Sequence, residues 1–171
     1  VDFAGKGKIT YPDGVIVNDE TTSNLTKNEN FVVLECVYRL LKLGYKPECI
    51  ELEPKWEAPH DIGGGGKADV LVKDNAGESF LLIECKTWGK EFDNYWKKTE
   101  QDGDQLFFYA VQKRSTKYLC MYASNWDNDE LVRKSNIISL KDNTATLESF
   151  DEPISFEKAN DKSSLFAAWN I

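Results

Sequence analysis

The 171 residues include a single histidine, His60. Without a histidine–cysteine cluster there is no donor set for zinc, and no serine or cysteine has an obvious imidazole partner for nucleophilic catalysis. The cysteines Cys36, Cys49, Cys85 and Cys120 never approach CxxC spacing, and each stands in or beside an apolar stretch. They read as buried free thiols in a reducing, cytoplasmic setting rather than as disulfides. No apolar run reaches the roughly 20 residues a membrane helix needs. The opening residues, Val1 to Lys6, do not read as a signal peptide. A phosphate-binding loop is missing too: in the glycine run before Lys67, Asp61 holds the place of the first glycine and Ala68 follows the lysine. Nor is there an excess of basic charge. Lys and Arg number 21 against 29 Asp and Glu, a net charge of −8. That balance argues against autonomous tight binding to a phosphate backbone, but not against catalysis on DNA that another domain delivers.

What is present is enough for one folded domain. Hydrophobic residues make up 41% and aromatics 12%, sufficient for a substantial core. Val15, Ile16 and Val17 suggest a short edge strand. Thr26 to Glu29 has the spacing of a capping box, and Phe31, Leu34, Val37, Leu40 and Leu41 recur at helical spacing until Gly44. Ile50 to Glu53 predicts a short strand, ended by Pro54. Two apolar runs, Val70–Val72 and Phe80–Ile83, flank a polar turn with Asn75 and Gly77, a hairpin signal. Residues 91–113 predict a second helix, interrupted near Gly103. Tyr118–Ala123 reads as a strand buried on both faces, Ile137–Leu140 as another strand, and Ser163–Trp169 as a terminal helix. The order predicts an α/β fold with a central mixed β-sheet flanked by helices.

The hairpin carries the chemistry. Folded symmetrically about Ala76 and Gly77, it sets Asp69 directly opposite Glu84, on one face with Lys86. Leu71, Phe80 and Leu82 are expected on that face, and Val70, Val72, Leu81 and Ile83 on the other. Facing carboxylates repel unless a cation sits between them. One reading is a cross-strand salt-bridge cluster. The other is a site for Mg²⁺, with Mn²⁺ as substitute, held by Asp69, Glu84 and the backbone carbonyl of Cys85. Such a site suits phosphodiester cleavage, with Lys86 orienting or deprotonating water or neutralising the phosphate. Gln105 and Tyr109 lie one turn apart on the second helix, with Gln101 extending their stripe. Lys86, Lys90, Lys97 and Lys98 form a modest basic patch. Trp88, Trp96 and Trp126 follow the motif region, as packing residues or as platforms for bases of a splayed strand.

Ala68-Asp69, Glu84-Cys85-Lys86 and Gln105-x-x-x-Tyr109 together resemble the PD-(D/E)xK nuclease superfamily in its RecB-like branch. More narrowly, the order of Glu29-Asn30-Phe31, Gly44-Tyr45-Lys46-Pro47, Ile50–Glu53, Lys67–Asp69 and Leu82–Lys86 resembles the N-terminal nuclease domain of the type I restriction enzyme R subunit. Ala68 stands where the motif's name has proline. The resemblance spans roughly 26–125 and implies a restriction-endonuclease-like core over 26–143. An N-terminal extension (1–25) would precede it, and a C-terminal extension (144–171) would lead toward motor domains absent from this chain. It implies Asp69 and Glu84 as metal ligands, Lys86 as catalytic lysine, and Gln105 and Tyr109 as supporting, DNA-contacting residues. It also implies an acidic residue on the first helix, for which Glu29 fits and Glu35 is the rival. The expected activity is Mg²⁺-dependent cleavage of double-stranded DNA within a restriction complex. Methylation and specificity subunits would choose the sequence, and ATP would act only through the absent domains. A stand-alone repair or junction nuclease and a non-catalytic docking or DNA-binding module are the alternatives.

Overall fold

The computed structural model describes residues 7–55, 67–102 and 115–141. Six strands form one mixed sheet in chain order: β1 (Ile16–Val17), β2 (Ile50–Leu52), β3 (Val70–Lys73), β4 (Ser79–Cys85), β5 (Tyr118–Asp127) and β6 (Glu130–Ser139). The β1–β2 and β4–β5 pairs are parallel and the other three antiparallel. Helix α1 (Asn28–Leu43) lies in the first connection between parallel strands and α2 (Lys90–Asp102) in the second. The expected α/β fold with a mixed sheet flanked by helices is therefore present, and it is consistent with a restriction-endonuclease-like core. Among the described residues, no helix is long and apolar enough to cross a membrane.

Each helix covers its own apolar cluster. Val33, Cys36, Val37 and Leu40 of α1 pack with Val70, Val72, Leu81, Ile83 and Cys85. Phe92 and Trp96 of α2 pack with Leu71, Leu82, Leu119 and Met121. Strand β4 is buried along its whole length, as its unbroken apolar run requires. The four cysteines are free and buried, as expected.

Several local expectations shift. The capping box is not formed: Lys27 occupies the N-cap, no side chain caps the helix, and Thr26 instead bonds with Asn24. The reason is tertiary, since Glu29 is engaged by Lys86. The core face of α1 is also rotated from the expected one, because Phe31 is 47% exposed while Val33 and Cys36 are buried. At the other end Gly44, with φ 99°, stops the helix as predicted, its N–H donating to Leu41 O.

The β3–β4 turn is built by Asp74, whose Oδ1 accepts from the N–H groups of Ala76 and Glu78, both at 3.0 Å, with Gly77 at φ 82°. Val70 pairs with Ile83, Leu71 with Leu82 and Val72 with Leu81, the register read from the turn. Lys73, however, pairs with Ser79, which leaves Phe80 as an extra residue in a bulge. Phe80 thereby joins the α1-side cluster rather than the face of Leu71 and Leu82.

The β5–β6 hairpin is much longer than expected, ten residues in each strand. Its turn holds Asn128 and Asp129 at φ 47° and 62°, the left-handed pair a type I′ turn needs. The outer half is polar, so apolar patterning marks only its inner end. Gln105, Tyr109, His60, the glycines 63–66, Gly103, the expected continuation of α2 to 113 and the 163–169 helix lie outside the described residues.

Candidate active site

Three strands and one helix bring the charged residues together. Asp69 directly precedes β3, Glu84 is in β4, and Lys86 follows β4, its N–H bonded to Tyr122 O of β5 at 2.9 Å. Since Val70 pairs with Ile83, the next step of the ladder sets Asp69 against Glu84. Asp69 is anchored twice. Its Oδ2 accepts from Cys85 N at 2.7 Å, and its carbonyl accepts from Glu53 N at 2.9 Å. Cys85 turns its side chain into the α1-side core, so only its backbone is available to the charged face.

Lys86 is 7% exposed and lies at the centre of the group. Its Nζ is 2.7 Å from Glu84 Oε1, 3.0 Å from Glu29 Oε1 and 4.6 Å from the ring centre of Tyr95. Buried charges of this kind persist only when paired. Burial works against the ammonium, but Glu84, Asp69 and Glu29 outweigh it and raise the Lys86 pKa above lysine's ordinary value. Burial, followed by the charge of Glu84, holds the Asp69 carboxyl well above its usual range, against the opposing pull of the Cys85 N–H and Lys86. The neighbouring acidic groups therefore favour the ammonium form of Lys86, while Asp69 and Glu84 oppose each other's ionisation.

Glu29 and Glu35, the two acidic candidates on α1, touch different partners. Glu29 reaches Lys86. Glu35 accepts from Arg133 Nε at 2.6 Å and from the Tyr122 hydroxyl, fastening α1 to β5 and β6. The predicted lysine patch is also revised: Lys90, Lys97 and Lys98 are exposed, but Lys86 is buried and is not part of that surface.

Two contributors escaped sequence reasoning. Tyr95 is one, its ring lying against the Lys86 ammonium. Glu53 is the other. It is 3% exposed, has φ 48°, and accepts from Thr22 N through Oε1 at 2.7 Å. Lys67 lies 3.8 Å from its Oε2. Glu29, Glu53 and Asp69 line a cleft of about 240 Å³. Its mark is the positive φ of a non-glycine residue just past β2, which leaves no trace in the sequence.

Among the described residues no group of three or more His, Cys, Asp or Glu side chains is placed to hold a metal ion. The donor set nonetheless suits Mg²⁺, which commonly binds through one or two carboxylates and keeps several waters. Burial raises Asp69 most, and the repulsion from Glu84 that adds to it is what a cation between the two would relieve. Compared with known proteins, the chain matches no family model and no curated sequence.

Proposed function

We propose that this chain is a metal-dependent DNA endonuclease domain of the PD-(D/E)xK kind, similar in motif order to the nuclease domain of a type I restriction enzyme R subunit. The observation that carries the reading is Lys86, buried beside Glu84 and Glu29 at the end of the hairpin where Asp69 faces Glu84. A salt-bridge cluster serving stability alone has no need of a second, opposed carboxylate held well above its usual range.

Asp69, Glu84 and the Cys85 carbonyl would hold Mg²⁺ or Mn²⁺. When bound, the ion supplies charge stabilisation at the phosphoryl oxygens and an acidified water. The chain's own residues do the rest. Lys86, kept as an ammonium by its carboxylate neighbours, donates hydrogen bonds to a phosphate oxygen or to the attacking water and offsets developing negative charge. In that state it has no lone pair with which to act as a base. Glu29 and Tyr95 fix the direction of the ammonium. Glu53 and the Cys85 N–H fix Asp69. The acidic net charge of −8 suits a domain whose DNA is delivered by partner subunits, which would also supply sequence and methylation recognition.

A docking module is the second reading. The close Glu84–Lys86 pair favours it, because that lysine already supplies a positive charge to the carboxylate. Plasmid nicking at low salt with Mg²⁺ or Mn²⁺ tests the proposal. Wild-type protein should nick weakly. Lys86→Met, with its fold checked by circular dichroism, should lose at least about a hundredfold, as when a principal charge stabiliser is removed. Undiminished nicking by that variant refutes the assignment. Calorimetry separates the second reading, since a docking module has no use for a metal that requires Asp69 and Glu84.

A further inference from the structure

A cleft of about 650 Å³ opens beside the Lys86 end of the hairpin. Asn28 and Phe31 of α1, Thr87 and Trp88 after β4, and Asn125 and Trp126 of β5 form its walls. The three aromatic rings are 47%, 41% and 66% exposed, in the order Phe31, Trp88, Trp126. Neither apolar cluster includes them. Rings of this size normally contribute a large buried area, and here residues from three separate elements leave theirs open on one cavity. Trp96, by contrast, is buried against the sheet.

Two of the cleft's lining residues adjoin members of the charged group along the chain. Asn28 immediately precedes Glu29, and Thr87 immediately follows Lys86. Among the described residues the cleft's acidic wall residue is Glu35, which is ion-paired with Arg133 and accepts a hydrogen bond from the Tyr122 hydroxyl. The other described lining residues are the aromatic rings, the aliphatic Val32 and Leu131, and amide and hydroxyl groups, with the exposed Lys90 two residues past Trp88. Flat rings with polar edges, joined by an anionic backbone, match that surface. A base in a duplex has both faces covered by its neighbours, so only an unstacked base can use such platforms.

We propose that this cleft binds unstacked nucleobases of a single DNA strand next to the bond to be cut. The preferred substrate is then DNA with a single-stranded stretch rather than uniform duplex. This rests on the nuclease reading for its placement, because a strand whose phosphate meets Lys86 carries its neighbouring bases past Thr87 and Trp88.

The test is binding in EDTA, where cleavage cannot occur, followed by tryptophan emission and by anisotropy of a short labelled oligothymidylate or the matching duplex. The single strand should quench tryptophan emission and bind about tenfold more tightly than the duplex. Trp88→Ala and Trp126→Ala should each weaken it about tenfold, within the range of losing one base stack, and Trp126→Phe should retain most of the affinity. Equal or tighter duplex binding, or unaltered affinity in both alanine variants, overturns the proposal. So does an emission change that follows protein concentration without oligonucleotide, which would assign the cleft to self-association. The two readings fail separately. Single-strand binding without nicking under Mg²⁺ sinks only the nuclease assignment, and Lys86-dependent nicking without single-strand binding sinks only this one.

Discussion

Lys86→Met should destabilise the metal-free protein by about 2–3 kcal/mol. The substitution keeps most of the apolar stem and removes the ammonium. Glu84, 10% exposed, then loses a partner at 2.7 Å, and Glu29, 29% exposed, loses one at 3.0 Å. Removing one member of a buried pair commonly costs about 3–5 kcal/mol. The partial exposure of Glu29 moves the expectation below that range, because water can solvate the abandoned carboxylate. For a chain of this length, about 2–3 kcal/mol corresponds to roughly 4–12 °C in Tm. The assay is urea and thermal unfolding of both proteins in EDTA, repeated with Mg²⁺ or Mn²⁺. The divalent ion should recover part of the loss in Lys86→Met, since it supplies the positive charge the site then lacks. Adding Glu84→Gln to the variant should also restore stability, giving a favourable coupling between the two positions. A loss below about 0.5 kcal/mol, the size of an ordinary surface change, would mean that the ammonium does not hold this end of the hairpin together. The electrostatic account of the site would then be wrong.

Other consequences are independent of that one. The raised pKa of Asp69 gives stability that is fully present below the unfolded carboxylate's pKa and lost as pH rises through the folded value. In EDTA, Asp69→Asn should therefore melt above wild type at neutral pH, with the gap narrowing on acidification; a gap that widens toward acid would contradict the assigned direction. Glu35→Gln weakens the bonds from Arg133 and Tyr122 and should cost about 1–3 kcal/mol in urea titrations while leaving metal titration unchanged. Asp129→Gly replaces a side chain at φ 62° and creates an Asn-Gly turn. It should raise stability by about 0.5–1 kcal/mol, measured by thermal melting, since the left-handed strain is relieved.

The alternation of the hairpin and its polar turn with Asn75 and Gly77 were enough to give the register of Val70–Val72 against Leu81–Ile83, because a period of two leaves one register that buries both apolar faces. The α1 helix was legible for a similar reason, with Gly44 marking its end. Other features depended on partners distant in the chain. Glu29 looked like a capping residue, yet it turns to Lys86, 57 positions away. Glu29 was the fitting acidic residue and Glu35 its rival, and only the folded chain shows that Lys86 meets the first and Arg133 and Tyr122 meet the second. The bulge at Phe80 left no mark in the sequence, since an extra apolar residue in an apolar run changes no pattern. The outer β5–β6 ladder was hidden because its stability comes from backbone pairing rather than from an apolar face. Residue types and short-range periodicity therefore determined the elements and the acidic pair. Which acid meets the lysine, and which aromatic rings stay open beside it, was decided only when the two helices settled on opposite faces of the sheet. Those contacts join residues whose separation along the chain carries no local signal.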